Sequence, residues 1–154
     1  MPEVRHRKVK LGDAYIQVVE LDHPPKKVDL PEGWEALKWQ YAEVEYKDKK
    51  TDEFDIFFVN RSERSCLRII KAVQPIEHEC VMGHKHKPGE EYWIVGYHPP
   101  GTAKIVGNDI EFLVEDAACW EAKDEEEADR IISAVNERFI KGFWEEIKHA
   151  EKIR

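Results

Sequence analysis

A chain of 154 residues with a formal charge of -8 and 42% apolar residues is the size of one ordinary domain, whose core hides around two-thirds of the surface the unfolded chain exposes. The acidic balance excludes polyanion binding by the surface as a whole, because affinity for phosphate backbones comes mostly from clustered lysine and arginine. No run of about 18 apolar residues occurs, and Met1 to Arg7 lacks the apolar stretch of a secretory signal, so a cytoplasmic protein with no membrane partner is expected.

The three cysteines, Cys66, Cys80 and Cys119, have no framework spacing; buried thiols or a metal ligand fit them better than disulfides. Glutamate and lysine are abundant while asparagine and glutamine are scarce, the composition of heat-adapted proteins. Arg5, Arg7, Lys8 and Lys10 make a basic start, and Arg61, Arg64, Arg68 and Lys71 a second basic stretch. The region from Glu115 to Glu127 is acidic.

In chain order, Ala14 to Leu21 is rich in β-branched and aromatic residues and reads as a strand ended by Asp22-His23-Pro24-Pro25. Leu37 to Tyr46 alternates, Lys47 to Asp52 supplies a charged turn, and Phe54 to Val59 is again strand-like, which predicts a hairpin. Cys66 to Val73 fits a strand or a short helix stopped by Pro75, with strand preferred. Tyr92 to Tyr97, Ala103 to Val106 and Ile110 to Val114 predict three more strands joined by Pro- and Gly-containing turns, as in an antiparallel meander. The period then changes. Ala128, Ile131, Ile132, Val135, Phe139, Phe143 and Ile147 recur at helical steps, with Asp124 as N-cap for Glu127 and Gly142 as a kink point. The expected fold is α+β: one domain over residues 1–154, a mainly antiparallel sheet packed against a long C-terminal amphipathic helix.

Chemistry concentrates in His78-Glu79-Cys80-Val81-Met82-Gly83-His84-Lys85-His86. Imidazole and thiolate suit zinc or another divalent transition metal, and an extended 84–86 would aim His84 and His86 to one face. The candidate ligands are His78, Cys80, His84, His86, Glu90 and Glu91; the competing expectation is a solvated loop that happens to carry histidines.

The stretch His84-Lys85-His86-Lys87-Pro88-Gly89-Glu90-Glu91-Tyr92-Trp93-Ile94-Val95 resembles the first cupin motif. That resemblance implies a metal held in a β-barrel by His84, His86 and Glu90 or Glu91. A cupin's second histidine motif has no counterpart after Glu115-Asp116, so Cys119 would have to replace it.

Ala103 to Asn136 resembles the end of target-recognition domains of adenine-specific DNA methyltransferases and restriction-modification specificity proteins, with Glu127-Ala128 and Val135-Asn136 in matching places and Glu137 where that family has serine. It implies a double-stranded DNA partner, for which Arg61, Arg64, Lys85, Lys87 and Lys104 are the candidate contacts. The chain has neither a methyl-donor glycine loop nor the Asp/Asn-Pro-Pro-aromatic motif, and His98-Pro99-Pro100-Gly101 is not that motif. The tryptophans, Trp34, Trp39, Trp93, Trp120 and Trp144, are explained mostly by core packing. The sequence therefore points first to a non-catalytic DNA-recognition module of restriction-modification type. A cupin-like metal-dependent enzyme or sensor and a protein-binding subunit are the alternatives.

Overall fold

The structure is a computed structural model that describes residues 3–11, 13–113 and 118–141, with side chains at 10, 13–113 and 118–137. In chain order the elements are β1 (Glu3–Leu11), β2 (Ala14–Glu20), β3 (Trp34–Tyr46), β4 (Lys49–Asn60), β5 (Ser65–Val73), β6 (His78–Glu79), β7 (Lys85–His86), β8 (Glu91–His98), β9 (Ala103–Val106), β10 (Asp109–Phe112), β11 (Ala118–Ala122) and α1 (Glu125–Lys141). Among the described residues this is an α+β fold, mostly antiparallel sheet with one helix.

Seven strands form the main sheet in the order β1-β2-β3-β4-β5-β8-β11, and β9-β10 and β6-β7 are separate two-stranded hairpins. The hairpin expected from residues 37–59 is β3-β4, with a tighter turn than the sequence suggests. Tyr46 pairs with Lys49, so the turn is Lys47-Asp48 alone, and Lys47 takes the left-handed conformation such turns demand, at φ 55°. Lysines 49 and 50 are exposed strand residues rather than loop. The basic start is likewise a strand, β1, paired with β2 from Glu3↔Glu20 to Leu11↔Ala14. The meander expected after residue 92 is interrupted. Strand β8 pairs not with β9 but with β11, and β9-β10 folds out of the sheet plane to bury Ala103, with Ile105 and Ile110, against Val59, Cys66 and Phe57.

Period-two alternation gives the sheet two faces. Ile56, Ile69, Val95 and Trp120 lie opposite one another across β4, β5, β8 and β11 and belong to the main core with Phe54, Leu67, Trp93 and Tyr97. Onto this first face packs α1, which buries Ala128, Ile131, Ile132 and Val135; full burial of an isoleucine contributes on the order of 1.5–3 kcal/mol. The Asp124 carboxylate accepts the Glu127 amide at 2.9 Å, and the Glu127 side chain accepts the Lys123 amide at 3.0 Å, which satisfies donors the helix start would otherwise leave open. Lys26 reaches Glu125 and Asp129, each at 2.8 Å, so the segment before β3 is tied to the helix and brings Val28 and Leu30 to the core. The Phe139 side chain and residues Gly142, Phe143, Trp144 and Ile147 lie outside the described residues. Among the described residues no helix is long and apolar enough to cross a membrane.

The second face carries Asp55, Ile70, Ile94 and Glu121 in one row and Phe57, Arg68, Gly96 and Cys119 in the next. Its two ends are covered by the two small hairpins, β9-β10 at one and β6-β7 at the other. Under β6-β7 a small cluster of Ala72, Cys80, Tyr92 and Ile94, flanked by Ile70, Met82 and Cys119, seals the sheet.

Candidate metal centre

Residues 78–86 fold as a two-residue ladder closed by a tight loop. His78 pairs with His86 and Glu79 with Lys85, the Cys80 amide donates to the His84 carbonyl and the Gly83 amide to the Cys80 carbonyl, both at 2.9 Å. Gly83 sits at φ +81° with open space beside it, a conformation glycine adopts without steric cost. This loop aims Cys80, His84 and His86 at the sheet, where edge strand β11 presents Glu121.

Three donors converge on one oxygen. Glu121 Oε1 lies 3.1 Å from Cys80 Sγ, 3.0 Å from His84 Nδ1 and 3.3 Å from His86 Nε2. One ligand atom each from Cys80, His86 and Glu121 falls within 4.8 Å of the others. A tetrahedral zinc ion with Zn–N and Zn–O near 2.1 Å and Zn–S near 2.3 Å holds its ligand atoms about 3.3–3.7 Å apart, so small side-chain adjustments would admit an ion. His84, bonded to the same carboxylate, stands at the margin of this trio with a side chain 33% exposed, whereas that of His86 is 4% exposed.

The surroundings fix the imidazole. Glu90 Oε2 meets His86 Nδ1 at 2.6 Å, and Glu90 Oε1 accepts the Lys87 amide at 3.1 Å. With Nδ1 engaged, Nε2 is the nitrogen turned to the site, the carboxylate–histidine arrangement common behind metal-bound imidazoles. Tyr92 stacks on the His86 ring with centroids 3.8 Å apart and planes 9° apart, and its hydroxyl lies 2.8 Å from His78 Nε2. His78 Nδ1 faces the Ile76 carbonyl at 3.2 Å, so His78 supports the tyrosine instead of facing the trio.

Electrostatics agree with a site that favours cations. Burial works to raise the Glu121 carboxyl, but hydrogen bonds from His84, Cys80 and His86 overcome it and hold the group below its ordinary range. Burial pushes the Cys80 thiol up, and the neighbouring Glu121 carboxylate adds to the push, so the unliganded site keeps the thiol proton and a divalent ion would displace it. The hydrogen bond from His86 lowers the Glu90 carboxyl. A thiolate and a carboxylate together balance a dication, and two imidazoles add borderline nitrogen donors that suit late transition metals.

Of the ligands expected from sequence, Cys80, His84 and His86 are brought together, and Glu90 stands behind His86. Glu91 is turned elsewhere, to Lys71 at 3.3 Å and Thr51 at 3.2 Å. Cys119, the expected stand-in for a second cupin motif, packs in the small apolar cluster; two residues on, Glu121 fills the ligand position. Glu121 is separated from His86 by 35 positions, and no local spacing marks it. The alternation of buried Trp120 and Ala122 with Cys119 and Glu121 was the available signal.

The candidate nucleic-acid residues split between the two ends of β8. Lys85 and Lys87 flank the metal-site hairpin, whereas Gly101 and Ala103, beside Lys104, hydrogen-bond the Arg64 carbonyl. Strand β8 has 8 residues, which puts roughly 24 Å between these groups at about 3.4 Å per residue. Arg61 is paired with Glu35 at 2.9 Å and donates to the Gly107 carbonyl at 2.9 Å.

Comparison with family models, with curated proteins and with solved structures found no match to this chain.

Proposed function

We propose that this chain is a metal-binding protein whose ion, zinc or another late divalent transition metal, is held by Cys80, His86 and Glu121 with His84 beside them. The observation that carries this reading is the convergence of a thiol and two imidazole nitrogens on the partly buried Glu121 carboxylate, with ligand atoms of Cys80, His86 and Glu121 close together and His86 already oriented by Glu90. The ligands join the loop between β6 and β7 to the last strand of the sheet, so the ion acts as a clamp: it ties a local nine-residue motif, His78 to His86, to a strand distant in sequence. Such a clamp stabilises in proportion to its binding free energy. The test is metal content of untagged protein and zinc titration of chelated protein. One ion per chain and a higher melting temperature on loading support it; no stoichiometric binding by wild type, or equal binding by Glu121→Gln and Cys80→Ser variants, overturns it.

A second reading, double-stranded DNA recognition, is supported by the neighbouring placement of Arg64 and Lys104 at one end of the sheet. It draws less support than the metal site, because Lys85 and Lys87 are remote from that end and Arg61 is neutralised by Glu35. A duplex titration decides it: affinity must fall steeply with salt and weaken in Arg64→Ala and Lys104→Ala variants.

A further inference from the structure

Between the two covering hairpins, the second face of the sheet is a groove of about 770 Å³ on strands β2 to β5, within the range of about 300–1,000 Å³ usual for small-molecule sites. Cross-strand registers place Ile16 with Val44, Val18 with Ala42, and Ala42 with Glu53, while Ile70 and Ala72 continue the floor onto β5. Val18 stays 51% exposed, an apolar side chain in a concave wall.

Of the charged residues that line this groove, Asp55 and Lys71 are paired with opposite charges and Glu53 is not. Asp55 is held by a two-pronged contact with Arg68 at 3.0 and 2.6 Å. Lys71 pairs with Asp52 and with Glu91. Glu53 has no lysine or arginine partner among the described residues; its Oε2 accepts a single, long bond from the Val73 amide at 3.3 Å. Burial raises its carboxyl above the usual range, with the Val73 amide and His78 only partly offsetting this. A half-buried carboxylate so poorly compensated is stabilised by a cation that brings its own apolar surface.

We propose that this groove binds a small organic cation, an alkyl- or arylalkyl-ammonium, with the ammonium on Glu53 and the apolar body along Ile16, Val18, Ala42, Ile70 and Ala72. The size of the groove and the mixture of one uncompensated carboxylate with an aliphatic floor select this class over neutral or anionic ligands. The groove adjoins the metal centre, since Ile70 and Ala72 also pack in the cluster under the β6-β7 hairpin that holds Cys80, but Glu53 is not among the metal ligands.

The experiment is calorimetric titration of phenethylamine, phenylpropanol and phenylpropionate into the full chain in the presence of a chelator, so that amine ligation to a metal makes no contribution. Phenethylamine is expected to bind about tenfold or more tighter than phenylpropanol, with phenylpropionate weakest. Glu53→Gln should abolish that preference. Val18→Lys, at an exposed position that leaves folding intact, places a competing ammonium in the groove and should also abolish it; this variant decides the matter if Glu53→Gln does not fold. Equal affinity for amine and alcohol in wild type, or a preference retained in either folded variant, overturns the proposal.

Discussion

His86 lies face to face with Tyr92, 3.8 Å between ring centroids, and its Nδ1 is 2.6 Å from Glu90, so the imidazole is fixed in position and in tautomer from two sides. An ion at Nε2 therefore meets a ligand that has little freedom left to lose. Glu90→Gln retains the shape but replaces a charged acceptor with an amide, and it is expected to weaken zinc binding by about 10–100-fold. Tyr92→Phe keeps the stack and loses only the contact with His78, so its zinc affinity should stay within a few-fold of wild type. Competition against a chromophoric chelator measures both; equal losses in the two variants would remove Glu90 from the role of positioning residue.

The hairpin that carries these ligands depends on two glycines for different reasons. Gly83 has φ +81° and nothing within 4 Å of an added Cβ, whereas Gly89 has φ +78° and an added Cβ would lie 2.5 Å from the Tyr46 ring. Gly83→Ala meets the conformational cost alone, about 1–2 kcal/mol. Gly89→Ala adds a steric overlap whose relief costs typically about 1–3 kcal/mol more. Denaturant midpoints should rank wild type above Gly83→Ala above Gly89→Ala; the reverse order for the two variants would show that the Tyr46 ring yields without cost.

How far these features could be read from sequence follows from the range of the interactions that make them. Strands β2, β3, β4, β5, β8, β9 and β10 were legible because each carries its own alternation and its own Pro, Gly or charged terminator. The basic residues of β1 hid a strand that pairing with β2 stabilises, and β11 is five residues of mixed type whose identity as an edge strand comes from β8. The cysteine and histidines were visible as one local run. Glu121 was not, since it enters the site only through the β8-β11 register, Ile94↔Glu121. The same register explains why the cupin pattern, applied by spacing, assigns Glu90 or Glu91 to the ion when Glu90 serves His86 and Glu91 serves Lys71.

Acid should weaken the fold through His98. Its ring stacks on Phe112 with centroids 4.0 Å apart, Nδ1 is buried without a hydrogen-bond partner among the described residues, and burial together with the Arg68 charge lowers its pKa from 6.5 to about 4. A folded-state pKa below the unfolded one means that the unfolded chain takes up the proton first. The contribution of His98 to stability is therefore complete above pH 6.5 and is lost progressively as pH falls toward about 4. Melting temperature should decline across that window in wild type, and more shallowly in His98→Phe, which keeps the stack and removes the titration. Parallel pH profiles for the two proteins would count against this assignment.

The start of α1 offers a test of how much the helix depends on its cap. Asp124 accepts the Glu127 amide and Glu127 accepts the Lys123 amide, so each side chain satisfies a donor that the helix itself leaves open. Removing an N-cap of this kind costs typically about 1 kcal/mol, and in a chain of this size that corresponds to a fall of roughly 2–4 °C in melting temperature. Asp124→Ala is expected to show that fall, while Asp124→Asn, which keeps the acceptor and loses only the charge near the helix N-terminus, should lose at most about 0.3–1 kcal/mol. The apolar residues Ala128, Ile131, Ile132 and Val135 still fasten the helix to β8 and β11, so neither variant should release it. A circular-dichroism melt that loses helical signal ahead of the sheet in Asp124→Ala would mean that the cap, and not this buried face, holds the helix in place.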